Sequence, residues 1–293
     1  MYIAEILALS AAVCIAMSGM LVSELQGRLP LFDLARLQMI AAFLMTAAVS
    51  LVLGGWRTVE FWQFGYLAVS SLFGIIIAST TYFATIYTAG PRTTALLFSL
   101  ASPFAVVLGY VFLGETLSGR QGIGIACVLA GILLAIGARS SSKAMGGQNK
   151  TPWLGIVLGV VTAFGQALGS LAARPAMAGG VEPFTAMAVR SGLAALFFVF
   201  LMAVPHPALK PAPTITTRSV GFAVGSAFFG VGLGMSLLMA ALAHGNVGVV
   251  STLSSMTPIV ILPMVWARTG IVPPAPAWIG AALAVIGTGL ISL

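Results

Sequence analysis

The sequence predicts an all-α integral membrane protein of ten transmembrane helices, built as two five-helix repeats inserted in opposite senses. Three observations carry that expectation. Of the 293 residues, 59% are apolar and only 6% charged, whereas water-soluble globular chains carry about 25% charged residues. Apolar runs long enough to cross a bilayer recur along the whole chain. The second half also repeats features of the first in the same order. Six acids and thirteen bases cannot wet the surface of a 30.0 kDa particle, so lipid is the solvent for most of it. Disorder is excluded as well, since it needs low hydrophobicity and high charge.

A helix crossing the ~30 Å hydrocarbon layer needs about 20 mainly apolar residues. Runs of that kind, bounded by Gly, Pro or charge, lie near 4–26, 32–54, 62–87, 91–113, 121–138, 153–173, 184–204, 217–240, 245–267 and 276–292. The first begins MYIAEILALSAAVCIAMSG. It lacks a basic leading region and carries Glu5, so it reads as a membrane helix and not a cleaved signal. Helix is required because backbone polar groups in lipid must be satisfied within the segment, and the strand alternation of a membrane barrel is missing. Short connections make consecutive helices antiparallel neighbours. Trp56, Trp62, Trp153 and Trp278 sit at span ends as interface anchors.

Two connections differ from the rest. RSSSKAMGGQNKTP (139–152) is the most polar stretch and lies near the chain midpoint; PHPALKPAPTITTR (205–218) is proline-rich and extended. The first divides the chain into a repeat over 1–138, a polar linker over 139–152 and a second repeat over 153–293. At a constant offset Gly90 meets Gly245, Ser99 meets Ser254, Ser102 meets Thr257 and Pro103 meets Pro258. With one residue inserted, Gly124 meets Gly280 and Gly131 meets Gly287; Arg36 has its counterpart in Arg190. An odd number of helices per half turns the second half over in the membrane. Inverted repeats of this kind place a transporter's site near the midplane between the halves.

SPFAVVLGYVFLGETLSGRQGIGIACVLAGILLA (102–135) resembles the end of an EamA domain, the five-helix unit of the drug/metabolite transporter superfamily. The matching features are Pro103, the Leu113-Gly114-Glu115 turn, Gly124 and Gly131. The second half is similar from Pro258 through Gly280 and Gly287, but has Arg268-Thr269-Gly270 where a Leu-Gly-Glu turn is expected. The resemblance spans nearly the whole chain. It implies a central cavity lined mainly by helices 1, 3, 4, 6, 8 and 9, and alternating access. It leaves the substrate open among amino acids, other metabolites, nucleotide-sugars and drugs.

Which residues face a solute there? Glu5, Glu24, Asp33, Glu60, Glu115 and Glu182 all fall at helix ends or in loops, so no acid stands where a proton/cation antiporter of the superfamily keeps its mid-helix Glu. Glu24 is the exception to weigh, either as a coupling acid or as an end-of-helix partner of Arg28. Arg36 and Arg190 intrude furthest among the bases. They read either as anchors or gates for a carboxylate or phosphate, or as snorkelling side chains whose heads reach the interface. The mid-helix polar groups are neutral: Ser18, Thr81, Tyr82, Ser99, Ser102, Gln166, Ser236, Ser254 and Thr257. Each lies on a helix that the resemblance assigns to the cavity, and each serves either a polar solute or interhelical and i−4 bonding. Gly155/Gly159, Gly165/Gly169, Gly221/Gly225 and Gly230/Gly234 have the spacing that lets helices approach closely.

Cys14 and Cys127 have neither a CxxC nor a His beside them and read as small packing residues. The thirteen bases are scattered, which argues against a nucleic-acid groove. With no clustered acids and with His206 and His244 in loops, an intramembrane enzyme lacks its parts. The expectation is therefore a transporter of the cell (inner) membrane, exporting a small polar or amphipathic metabolite such as an amino acid. A lipid or lipid-linked flippase and a proton-coupled drug exporter on the same scaffold are the alternatives. No cofactor and no metal are expected; the partners are a small-molecule substrate and membrane lipids, with the chain a monomer or homodimer. A cytoplasmic amino terminus puts Arg139, Lys143, Lys150, Lys210 and Arg268 outside and Arg57, Arg120 and Arg174 inside. The positive-inside rule thus favours external termini, while the resemblance favours cytoplasmic ones.

Overall fold

The computed structural model describes residues 2–25, 27–137, 153–204, 215–257, 259–260, 263–264, 266, 272 and 275–292. The inter-repeat linker at 139–152, most of the proline-rich connection, Pro258 and Arg268-Thr269-Gly270 lie outside them. The described chain is helical: α1 (Ile3–Ser23), α2 (Leu31–Leu53), α3 (Phe61–Ser71), α4 (Ala78–Phe98), α5 (Ala101–Leu113), α6 (Gly119–Gly137), α7 (Trp153–Ala178), α8 (Pro183–Phe200), α9 (Thr217–Ala227), α10 (Met235–His244), α11 (Val247–Ser254) and α12 (Ala275–Ser292). Two wide π-helical turns, Leu72–Ile77 and Phe228–Gly234, join α3 to α4 and α9 to α10.

Among the described residues, six helices are long and apolar enough to cross a membrane: Ile3–Val22, Leu31–Leu53, Phe61–Ile86, Trp153–Ala178, Pro183–Ala203 and Thr217–His244. Their outward faces carry large bare side chains such as Val52 and Phe61, as expected where lipid is the solvent. The ends carry local signals. Glu60 and Gln63 form a reciprocal capping box at α3. Glu182 caps α8 by accepting the N–H groups of Phe184 (2.8 Å) and Thr185 (2.7 Å) just before Pro183 sets the first turn. Gly114, in the left-handed region at φ 63°, closes α5.

One boundary differs from expectation. The sequence suggests a break at Gly90-Pro91, yet the backbone is helical through both and breaks at Ser99-Leu100. Thr81 bonds Thr162 while Leu97 packs on Gly159. A straight helix would put Thr81 and Leu97 roughly 24 Å apart at ~1.5 Å per residue, but their partners are one turn apart on α7. The chain path therefore turns back within α4, and Phe104 then meets Phe164 (ring centroids 5.4 Å) further up α7.

Repeat mates pack on one another. The most extensive helix contact is α6 with α12. A Cβ on Gly131 would lie 2.8 Å from the Ala284 nitrogen and closer still to the Gly280 carbonyl. One on Gly287 would meet the Gly124 carbonyl at 2.6 Å and the Val128 nitrogen at 2.8 Å. Gly131 against Gly280 and Gly287 against Gly124 is the same contact with the two halves exchanged, and numbering rises along one helix as it falls along the other. The α2–α8 pair behaves alike: Thr46 Oγ1 lies 3.4 Å from Ser191 Oγ, Ser50 Oγ 2.6 Å from Thr185 Oγ1, and Phe43 covers Gly192. Gly221, by contrast, faces open space, so its small-residue spacing builds no close contact.

Candidate functional site

The two π turns occupy matching places in the halves, at Leu72-Phe73-Gly74 and Phe228-Phe229-Gly230, and each presses on the helix that opens the other half. Gly74 lies against Gly169 of α7: a Cβ on Gly74 would come within 2.9 Å of the Gly169 Cα. Gly230 lies against Ser18 of α1, where a Cβ would come within 2.9 Å of the serine Cβ. Ser70 Oγ donates to the Gly169 carbonyl at 2.6 Å, and Ser18 Oγ donates to the carbonyl of Ser226, the mate of Ser70, at 2.8 Å. Gln38 Nε2 adds a bond to Ser226 Oγ at 2.7 Å.

Beside the π turns, hydroxyls donate to carbonyls four residues back: Thr80 to that of Ile76 (2.6 Å), Thr81 to that of Ile77 (2.8 Å) and Ser236 to that of Gly232 (2.5 Å). Thr81 also accepts from Thr162 at 2.7 Å. Ser102 Oγ meets Thr252 Oγ1 at 2.5 Å between α5 and α11. Ser254 bonds the Ser251 carbonyl at 3.1 Å, and Thr257 that of Ser254 at 2.9 Å and of Ala12 at 3.4 Å. Ser99 is buried at the break before α5. The Tyr82 ring stands edge-on between Phe83 and Phe98. These hydroxyls thus serve the scaffold in the conformation seen here. Gln166 differs, since it is 9% exposed and its amide bonds no described residue.

The charged groups divide unequally. Arg36 is buried in α2 and its Nη2 pairs with the Asp33 carboxylate one turn earlier. Arg190 of α8 is fully enclosed: its Nη1 lies against the thioethers of Met187 (3.3 Å) and Met239 (3.1 Å), and Nε and Nη2 have no hydrogen-bond partner among the described residues. Ser71 Oγ donates to its backbone carbonyl at 2.6 Å. Glu24 ends α1, half-buried.

Sequence reasoning left Asp33 among the helix-end acids, although its spacing of three from Arg36 is a helical pairing distance. It also missed the reach of Glu115. This carboxylate accepts the Val247 N–H at the start of α11 at 2.8 Å and lies 3.8 Å from Arg174 Nε of α7. Burial pushes Glu115 above the ordinary carboxylate range, partly offset by the Val247 N–H, Arg174 and the Gly248 N–H.

The flank between α3, α5 and α7 holds a cleft of about 610 Å³ lined by Trp62, Tyr66, Val69, Phe73, Phe112 and other apolar groups. None of the sequence candidates lines it. Among the described residues, no group of three His, Cys, Asp or Glu side chains is gathered as a metal site would need.

A crystal structure of a protein 20% identical in sequence matches with a TM-score of 0.79 over 98% of this chain and 95% of that one. At that identity the likeness is one of fold. No curated protein sequence matches this one. The profile of the EamA-like transporter family matches twice, over residues 2–137 and 153–293. The chain is an integral membrane protein and belongs to the EamA-like transporter family.

Proposed function

We propose that the protein is an exporter of the cell (inner) membrane that moves a small polar or amphipathic metabolite, such as an amino acid, by alternating access. Ten helices, counting the shorter α5, α6, α11 and α12 segments with the six long ones, form two inverted five-helix repeats around a central path. The observation that carries this reading is the exchange of glycine contacts between α6 and α12, with their opposite chain sense. Two halves related in that way have two equivalent arrangements, open to either side, which is the basis of rocking transport. The matched π turns support it further, since such turns are frequent at functional sites.

Gln166 is the polar group available to a solute, and the bonded hydroxyls of Ser18, Thr81, Ser102, Ser236, Ser254 and Thr257 become available as helices part. In sealed vesicles, Gln166→Ala is expected to cut flux of an accepted solute at least tenfold with unchanged folded yield. Equal flux with and without the protein, over a panel of amino acids and small amines, overturns the transport reading. Loading the solute on one side and then the other reads the direction.

The lateral cleft beside Trp62 and Tyr66 favours a second reading, a flippase for lipid or lipid-linked substrates. That reading requires labelled lipid to change leaflets in the same vesicles, and Val69→Trp, which fills the cleft, to slow it.

A further inference from the structure

Aligning the halves on Arg36 and Arg190 puts Met187 where the first half has Asp33. The contact is preserved but its chemistry is not. In α2 the residue one turn before the arginine is its counter-ion; in α8 the same place offers a thioether, a weak acceptor without charge. A guanidinium enclosed in a lipid-embedded bundle without an anion is held at a cost in desolvation that nothing else there offsets. The internal counter-ion is thus present on one side only.

The free atoms have a definite geometry. Nε and Nη2 lie along one edge of the guanidinium plane, so their N–H groups point the same way. That edge grips the two oxygens of a carboxylate in parallel. It is free because the two thioethers sit at Nη1, on the other side of the group. Nη2 also lies 2.9 Å from where a Gly74 Cβ would be. The π turn of the first half therefore makes room for this group and sits beside it.

We infer that Arg190 is the docking point for the carboxylate of the transported solute, which supplies the counter-ion that Met187 does not. This rests on the transport reading above and narrows it to carboxylate-bearing metabolites. One cation with two parallel donors matches a singly charged planar anion; a phosphate dianion would leave a charge over. The edge is closed off at 0% exposure, so the anion reaches it in the conformation where the Gly74 turn parts from α7 and α8.

The test compares acids with their amides, which lack the carboxylate, on the full-length protein in detergent: acetate, hexanoate and N-acetyl-L-leucine against acetamide, hexanamide and N-acetyl-L-leucinamide, at fixed ionic strength. At roughly hundredfold saturation the accepted acid is expected to raise Tm by about 5 °C, and its amide by less than a fifth of that. Met187→Asp, which restores the pair seen in the first half, is expected to raise the basal Tm and abolish the response to acids. Arg190→Gln is expected to abolish the response as well. Equal shifts for acids and amides overturn the inference without any variant, as does an undiminished acid response in Met187→Asp. A larger shift with inorganic phosphate than with any acid overturns the carboxylate assignment. Flux separates this from the broader reading. Solutes that move without acid-specific binding leave transport standing and remove the Arg190 site; acids that bind while no solute moves do the reverse.

Discussion

The first half neutralises its buried arginine internally and ties its Leu113-Gly114-Glu115 turn to the other half, through Glu115 on the Val247 N–H. The second half keeps the arginine but has Met187 in place of the aspartate. The glycine contacts of α6 and α12 meanwhile exchange almost without change, as do the two π turns. The two halves are thus alike in shape and unlike in charge. Backbone-to-backbone contact leaves no tolerance for a Cβ, so a glycine at a crossing is a constraint that both halves share. A counter-ion can come from a side chain or from a ligand, so one half can lack it where a ligand supplies it.

The largest expected effect comes from making the first half resemble the second. Asp33→Met leaves Arg36 enclosed and unpaired, and should lower unfolding stability by about 3–5 kcal/mol, read by denaturant titration in detergent. A loss under 1 kcal/mol would mean that Arg36 finds solvent and that the contrast with Arg190 is not electrostatic. Next come the crossings. Gly131→Ala and Gly287→Ala should each cost about 1–3 kcal/mol through overpacking, and by matching amounts, because each methyl meets the mate of the other's neighbour. A cost confined to one of the two would break the equivalence of the halves.

Glu115 gives the smallest effect. Its carboxyl titrates above the ordinary carboxylate value in the folded protein, so the folded state holds the more protons between those two values. Stability should therefore fall as pH rises through that window and recover on acidification. The difference between wild type and Glu115→Gln isolates this slope, at most about 1.4 kcal/mol per pH unit. A slope of opposite sign would mean that Val247 and Arg174 outweigh burial.

The reading of the chain as membrane-embedded and duplicated was carried by particular residues. Apolar runs demanded lipid, and the pairs Gly124/Gly280, Gly131/Gly287 and Arg36/Arg190 marked the repeat. The Phe-Gly pairs at 73–74 and 229–230 lie inside the π turns, but no periodicity in the sequence distinguishes a wide turn from an ordinary one. The hydroxyls lie on the expected helices, yet whether Thr81 or Ser236 bonds a solute or its own helix depends on side-chain rotamer and packing, which composition does not encode. The helical hydrogen-bonding pattern runs on through Gly90-Pro91 to Phe98, but the chain path still reverses between Thr81 and Leu97, in the stretch that holds Gly90-Pro91.

What was settled in one dimension is whatever depends on solvent and on counting: too little charge for water, enough apolar length to span, and two copies of one pattern. What needed three dimensions is which polar groups are already spoken for. A hydrogen bond or ion pair is a relation between residues as distant as Ser18 and Ser226, or Glu115 and Val247. The bareness of Arg190 is likewise a property of everything packed around it.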